Sequence, residues 1–150
     1  MNRTTRRIAK ALVAGSMAAV SLLALAGSAS AGGTTGLERG QALVAPNEIL
    51  KFDANRHLIY VIDVQADGNV VEYRWDYVNH TRTRACWSTG TWWAGDVLAT
   101  YQDDGNFVVY QRYGYRPIWA SNTVGLPGTS VSINDQGVVY VGLKAISGPC

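Results

Sequence analysis

A nine-residue pattern, Gln-x-Asp-x-Asn-x-Val-x-Tyr, occurs twice in this chain of 150 residues. The first copy is Gln65, Asp67, Asn69, Val71 and Tyr73, and the second is Gln102, Asp104, Asn106, Val108 and Tyr110. Spacing of two puts all five side chains on one face of an extended backbone. A straight strand would hold the first and last about 26 Å apart at roughly 3.3 Å per residue, too far for one small ligand. The segment must therefore fold back, and Ala66-Asp67-Gly68 and Asp103-Asp104-Gly105 supply the means. A three-residue connection ending on a left-handed glycine is a favoured hairpin turn. That register predicts Gln65 opposite Asn69 and Gln102 opposite Asn106, so two amides and a carboxylate converge at one hairpin end. The intervening residues face the other way. Tyr60, Ile62, Val64 and Val70 in the first copy, and Ala99, Tyr101, Phe107 and Val109 in the second, make an apolar face suited to a core.

The repetition extends beyond the motif. Residues 60 to 73 and 97 to 110 align on their Asp-Gly pairs with an offset of 37, and a fainter third copy at 128 to 141 follows after a further 31. Trp87-Ser88-Thr89-Gly90-Thr91 follows the first copy, and Trp119-Ala120-Ser121-Asn122-Thr123 follows the second. Each unit thus reads as a hairpin and a tryptophan-led strand, with no helical periodicity after the first 31 residues. Units this short cannot each bury a face alone, so three of them must share a core, and closure of an antiparallel all-β chain around an axis is the expected architecture.

The three copies are unequal. Aligned on Asp135, the third has Ile133, Gly137 and Val141 where Gln, Asn and Tyr belong, and keeps only Asp135 and Val139. A shift of one residue brings in Gln136, Val138 and Tyr140 but gives up the carboxylate to Asn134. Neither register yields a full site, and the third hairpin is expected to be structural. No tryptophan follows it, which leaves Ile146 as the residue to fill that core position. The first copy carries Glu72 on the inward parity, where the second has Val109. Either that strand end is exposed or the first site is distorted, which favours the second as a binding site.

Residues 1–31 read as an export signal. Arg3, Arg6, Arg7 and Lys10 precede an apolar stretch from about Ala11 to Ala26, and Ala29-Ser30-Ala31 has the small residues of a cleavage site. Cleavage would start the mature domain at Gly32 and run it to residue 150, secreted and without a membrane span. It would also remove four of the thirteen Lys and Arg residues and none of the eleven acids, leaving a net charge of −2. Polyanions, nucleic acid among them, are then not the expected partners. The two cysteines, Cys86 and Cys150, would meet an oxidising environment, where a disulfide between them is the simplest use of both. Two free thiols are the alternative, and spacing alone does not decide.

The motif side chains suit a sugar, whose hydroxyls donate and accept and whose ring carbons offer an apolar C–H surface. The carboxylate accepts, the amides and the tyrosine hydroxyl do both, and valine gives an apolar wall. Nothing in the pattern activates water or a nucleophile, so binding without turnover is the expectation. His57 and His80 have no cysteine or carboxylate cluster at ligand spacing, so neither a metal nor any other cofactor is expected.

With the interleaved WSTGT and WASNT segments, the two motif copies resemble the bulb-type (monocot mannose-binding) lectin family across about Leu37 to Val141. The resemblance implies a β-prism II fold, with three antiparallel four-stranded sheets related by pseudo-three-fold symmetry and tryptophans in the central core. It also implies that Gln, Asp, Asn and Tyr hydrogen-bond mannose hydroxyls while Val touches the ring. Carried over, the two copies named above form two sites for mannose or mannose-containing glycans, with a homodimer as one route to avidity. A lectin-like protein-recognition module, acting as a bacteriocin-like toxin, adhesin or inhibitor, is the alternative from another class. A small secreted hydrolase would need a nucleophile, histidine and carboxylate cluster that the sequence does not display.

Three further features carry expectations. Trp87 and Trp119 are expected in the core, whereas adjacent Trp92 and Trp93 would face opposite sides of a strand, exposing one of them. The segment from Arg74 to Arg84, with Arg82 between, reads as a solvated loop or as an extension of the neighbouring site. Asn79-His80-Thr81 fits a glycosylation sequon, which matters only in a host that glycosylates exported proteins.

Overall fold

The computed structural model describes residues 33–150, and the expected export signal lies outside the described residues. Among the described residues twelve strands form three antiparallel four-stranded sheets, as expected. The first sheet orders β3 (Glu48–Phe52), β4 (Leu58–Val64), β5 (Val70–Asp76) and β6 (Thr81–Ser88) side by side. The second orders β2 (Ala42–Leu43), β7 (Val97–Tyr101), β8 (Phe107–Gln111) and β9 (Arg116–Ala120), and the third β1 (Leu37–Glu38), β10 (Ser130–Ile133), β11 (Val139–Val141) and β12 (Lys144–Ala145). Each repeat contributes three consecutive strands to one sheet. The segment from Leu37 to Phe52 contributes the fourth to all three, in reverse order, and so stitches the sheets together.

The inward parity of every hairpin packs into one core. Tyr60, Ile62, Val64 and Val70 meet Ala99, Tyr101, Phe107 and Val109 there, together with Val131, Ile133, Val139 and Val141 of the third sheet. Both sets forecast from alternation are buried. Trp87 and Trp119 pack against this core edge to face, 5.6 Å between ring centroids, with Phe107 beneath Trp119. A bulge sets up each tryptophan. Glu72 pairs with Trp87 but Tyr73 with Ala85, leaving Cys86 as the extra residue of β6. Val109 likewise pairs with Trp119 but Tyr110 with Pro117, leaving Ile118 extra in β9.

Cys86, at its bulge, is disulfide-bonded to Cys150, whose backbone N–H donates to the carbonyls of Gln136 and Gly137. The C-terminus is thereby fixed both to the first sheet and to the third hairpin.

Several expectations need correction. In the third hairpin Asn134 N–H donates to Val138 and Gly137 N–H to Asn134, the same pair of bonds that Gln65 makes with Asn69 and Gly68. Asn134 therefore stands where Gln65 and Gln102 stand, and the alignment on Asp135 is displaced by one. The turn is set by the left-handed glycine, Gly137 at φ 68°, and not by the aspartate. Because strand parity has period two, that single step sends Val139 and Val141 into the core and Tyr140 outward. Asp135 is left on the surface, paired with Lys51. Ile146 packs against the core as anticipated, although Lys144, exposed, occupies the tryptophan's pairing position opposite Val141.

The segment 74–84 is strand at both ends and loop only between Asp76 and Thr81. Asp76 closes that turn by accepting from the N–H groups of Val78 and Asn79 and from Asn79 Nδ2. Its polar, exposed residues pair at the sheet edge without needing burial, and a charged edge discourages further strand addition. Trp92 and Trp93 lie in a turn between β6 and β7, so strand parity does not govern them and both are exposed.

Candidate functional site

Each motif copy folds into the predicted hairpin. Gln65 N–H donates to Asn69 O at 2.9 Å and Gly68, at φ 95°, closes the turn; Gln102, Asn106 and Gly105, at φ 87°, repeat the arrangement. The side chains then lock one another. Gln65 Nε2 donates to the Tyr73 hydroxyl at 2.8 Å, and Gln102 Nε2 to the Tyr110 hydroxyl at 2.8 Å. One oxygen of Asp67 accepts from Asn69 N–H, and one of Asp104 from Asn106 N–H, both at 2.9 Å. The second carboxylate oxygen of each has no partner among the described residues.

The asparagines are fixed from behind by the tryptophan-led segments. Asn69 Oδ1 accepts from Thr91 N–H and the Thr89 hydroxyl, and Asn106 Oδ1 from Thr123 N–H and the Ser121 hydroxyl. Thr91 and Thr123 in turn donate their hydroxyls to the carbonyls of Gly68 and Gly105. With its oxygen engaged, each amide presents its Nδ2 hydrogens outward as donors. These hydroxyl residues are the functional supports that sequence reasoning passed over. Their signal was present, since the threonine ending WSTGT and WASNT recurs at one position.

What faces outward is therefore a donor-only amide, a free carboxylate oxygen, a glutamine carbonyl and a tyrosine hydroxyl, above a floor of Val71 or Val108. The first copy opens into a cleft of about 370 Å³ lined by Gln65, Asn69, Val71 and Tyr73 on one side and Ala85 to Ser88 on the other. Such a volume lies at the lower end for small-molecule sites. Charge lies next to Tyr73: Arg82 sits 5.5 Å over its ring and contacts Glu48 at 2.7 Å and Asp63 at 3.0 Å. Burial pushes the Asp63 carboxyl above its ordinary value, while Arg82 pulls the other way.

Neither alternative raised by Glu72 holds. Its strand is fully paired, between Ile62 and Trp87, and the hydrogen bonds of the first site match those of the second in partner and length. The carboxyl is completely buried with no hydrogen-bond partner, and burial pushes it up to about 7. The first copy is thus as well formed as the second.

The third hairpin brings no such group together. In the register of its own hydrogen bonds, Asn134, Gln136, Val138, Tyr140 and Gly142 take the five motif positions. Asn134 Oδ1 is spent on the N–H groups of Gln136 and Val138. Among the described residues no group of three or more His, Cys, Asp or Glu could hold a metal ion, and no helix is long and apolar enough to cross a membrane.

The sequence matches no protein-family model and no curated protein. Among solved structures it is similar to a monomeric monocot mannose-binding lectin from Gastrodia elata, with 27% identity, TM-score 0.58, and coverage of 78% of this chain and 100% of that one. A lectin from Allium sativum is 28% identical at TM-score 0.54, covering 71% of this chain and 91% of its own. The mannose-specific agglutinin of snowdrop, Galanthus nivalis, solved with methyl-α-D-mannoside, is 27% identical at TM-score 0.53, covering 71% and 87%. The architecture is that of a β-prism II domain. In fold and in its twice-repeated motif the chain is similar to the bulb-type lectins.

Proposed function

We propose that this protein is an exported lectin that holds mannose-type sugars, without turnover, at two equivalent sites on its first and second sheets. The observation that carries this reading is the duplicate constellation: two hairpins present the same free carboxylate oxygen, outward amide and Gln–Tyr pair in the same hydrogen-bonded geometry. Vicinal hydroxyls fit it because each can donate to the carboxylate and accept from the amide. The sugar ring would rest on Val71 or Val108, with Tyr73 or Tyr110 at the side. The snowdrop agglutinin, solved with a bound mannoside, supports the choice of sugar.

Titration of the wild-type chain with methyl α-mannoside, followed by NMR or calorimetry, is expected to show two weak sites. Asp67→Ala combined with Asp104→Ala is expected to reduce binding at least tenfold, since each change removes charge-assisted hydrogen bonds worth about 1.5–3 kcal/mol. Unchanged binding in that double variant, or none in the wild type, sinks the proposal. Export is a separate element of the reading. It predicts a secreted product whose N-terminus, by mass spectrometry, is Gly32.

A further inference from the structure

The two binding hairpins are buttressed by the same pair of anchors, but the loop between the anchors differs. In the second unit Thr123 fixes Asn106 and Gly105, Gly125 N–H donates to Asp104 O, and only Val124 lies between. In the first unit Thr91 makes the same bonds to Asn69 and Gly68, and Gly95 N–H donates to Asp67 O at 2.8 Å. Three residues, Trp92, Trp93 and Ala94, now fill the interval. The second unit shows that one residue suffices to complete the scaffold. The first has therefore gained two residues and carries a tryptophan pair there, Trp92 66% and Trp93 53% exposed.

Burying indoles is the ordinary outcome, and a second unit without them folds the same way, so their exposure has no role in the packing. Among the described residues neither ring stacks on another aromatic side chain. The loop is also held firmly. Ala94 N–H donates to Thr91 O, Gln111 Nε2 donates to Ala94 O, and the turn packs so closely that a Cβ on Gly68 would lie 2.5 Å from the Gly95 carbonyl oxygen. Two solvent-facing indoles thus sit on a turn whose ends, Thr91 and Gly95, are hydrogen-bonded to the carbonyls of Gly68 and Asp67 at the tip of the first hairpin. Indole faces present the flat apolar surface on which the C–H face of a pyranose packs, with little conformational entropy to lose.

We infer that Trp92 and Trp93 form an aromatic subsite, special to the first site, that takes the next pyranose of an oligosaccharide whose terminal sugar occupies the Gln65–Tyr73 hairpin. The inference rests on the sugar-binding reading above. It makes the two sites unequal: both accept a single sugar, and only the first gains from chain length.

The test uses the full mature chain with the second site silenced by Gln102→Ala and Asp104→Ala, titrated with methyl α-mannoside and with an α-linked mannotriose. The trisaccharide is expected to bind about tenfold more tightly than the monosaccharide. Trp92→Ala with Trp93→Ala, and separately replacement of residues 92–94 by a single valine, are expected to erase that gain and leave the affinity for methyl α-mannoside within about twofold. The short-loop variant guards against misfolding, because it copies a loop the second unit already folds with. Trisaccharide binding unaffected by either variant, or monosaccharide and trisaccharide affinity lost in equal measure, overturns the subsite. So does a silenced chain that binds neither sugar while the intact chain binds methyl α-mannoside, and that outcome leaves the general reading standing. Absence of binding to the intact chain overturns both.

Discussion

The residue that departs furthest from its surroundings is Glu72. It occupies the position of Val109, wholly enclosed and without a hydrogen-bond partner, and burial lifts its carboxyl from an ordinary 4.5 to about 7. The unfolded chain releases this proton near the ordinary value and the folded chain only near 7. The contribution of this group to stability is therefore full below about pH 4.5 and falls as pH rises toward 7, by about 3 kcal/mol at roughly 1.4 kcal/mol per pH unit. Glu72→Val restores the residue type used in the second unit. Its stability advantage over wild type in urea titrations is expected to grow by about that amount between pH 4.5 and pH 8. An advantage independent of pH would mean the carboxyl is solvated or paired in solution. Sequence parity located this residue correctly. It offered only exposure or distortion as outcomes because it could not register that a neutral carboxyl is tolerable inside a core where a charged one is not.

At the scale of elements, the hairpins of the first two repeats were legible because the motif and the Asp-Gly turn imposed one register on both faces. The third is displaced by one because Asp135 precedes its turn glycine by two positions, where Asp67 and Asp104 precede theirs by one. The short strands β1, β2, β3 and β12 are not legible, since two to five residues carry too little alternation, and β1 and β2 also find their partners far off in sequence. The first half of the edge strand β6, Thr81 to Arg84, is not legible as strand because its exposed residues present no apolar face. Support for the site from Thr89, Thr91, Ser121 and Thr123 is hidden for a different reason: it depends on how the segments after β6 and β9 return to the hairpin turns, which only the fold reveals. A sharp consequence concerns Gly137, where a Cβ would lie 2.5 Å from Cys150 Cβ and 2.7 Å from the Tyr60 ring, on a backbone at φ 68°. Gly137→Ala is expected to cost about 2–3 kcal/mol in urea unfolding, combining left-handed strain with overpacking. Gly114→Ala is its control for strain without crowding, at φ 79° with open space around it, and should cost about 1–2 kcal/mol. Equal losses at the two positions would show that the tail does not pack against the third turn in solution.

Across the whole molecule, three sheets are joined by two devices at opposite ends of the described chain. Residues 37–52 donate one strand to each sheet, and the C-terminal residues return to the third turn and bond covalently to the first sheet through Cys86 and Cys150. These closures tie together repeats that share a core but pair no strands with one another. The disulfide spans 64 positions in sequence, and restricting a loop of that length in the unfolded chain is worth about 4 kcal/mol in the chain-entropy treatment. Cys150→Ser, with Cys86→Ser to avoid a stray thiol, is expected to lower unfolding stability by roughly that amount. The effect on binding should be uneven, because Cys86 lines the cleft of the first site and the second site lies on a sheet the bond does not touch. NMR titration with methyl α-mannoside is expected to show weakened binding at Tyr73 and unchanged binding at Tyr110. Equal weakening at both would mean that the bond acts on the shared core and not on the wall of one site.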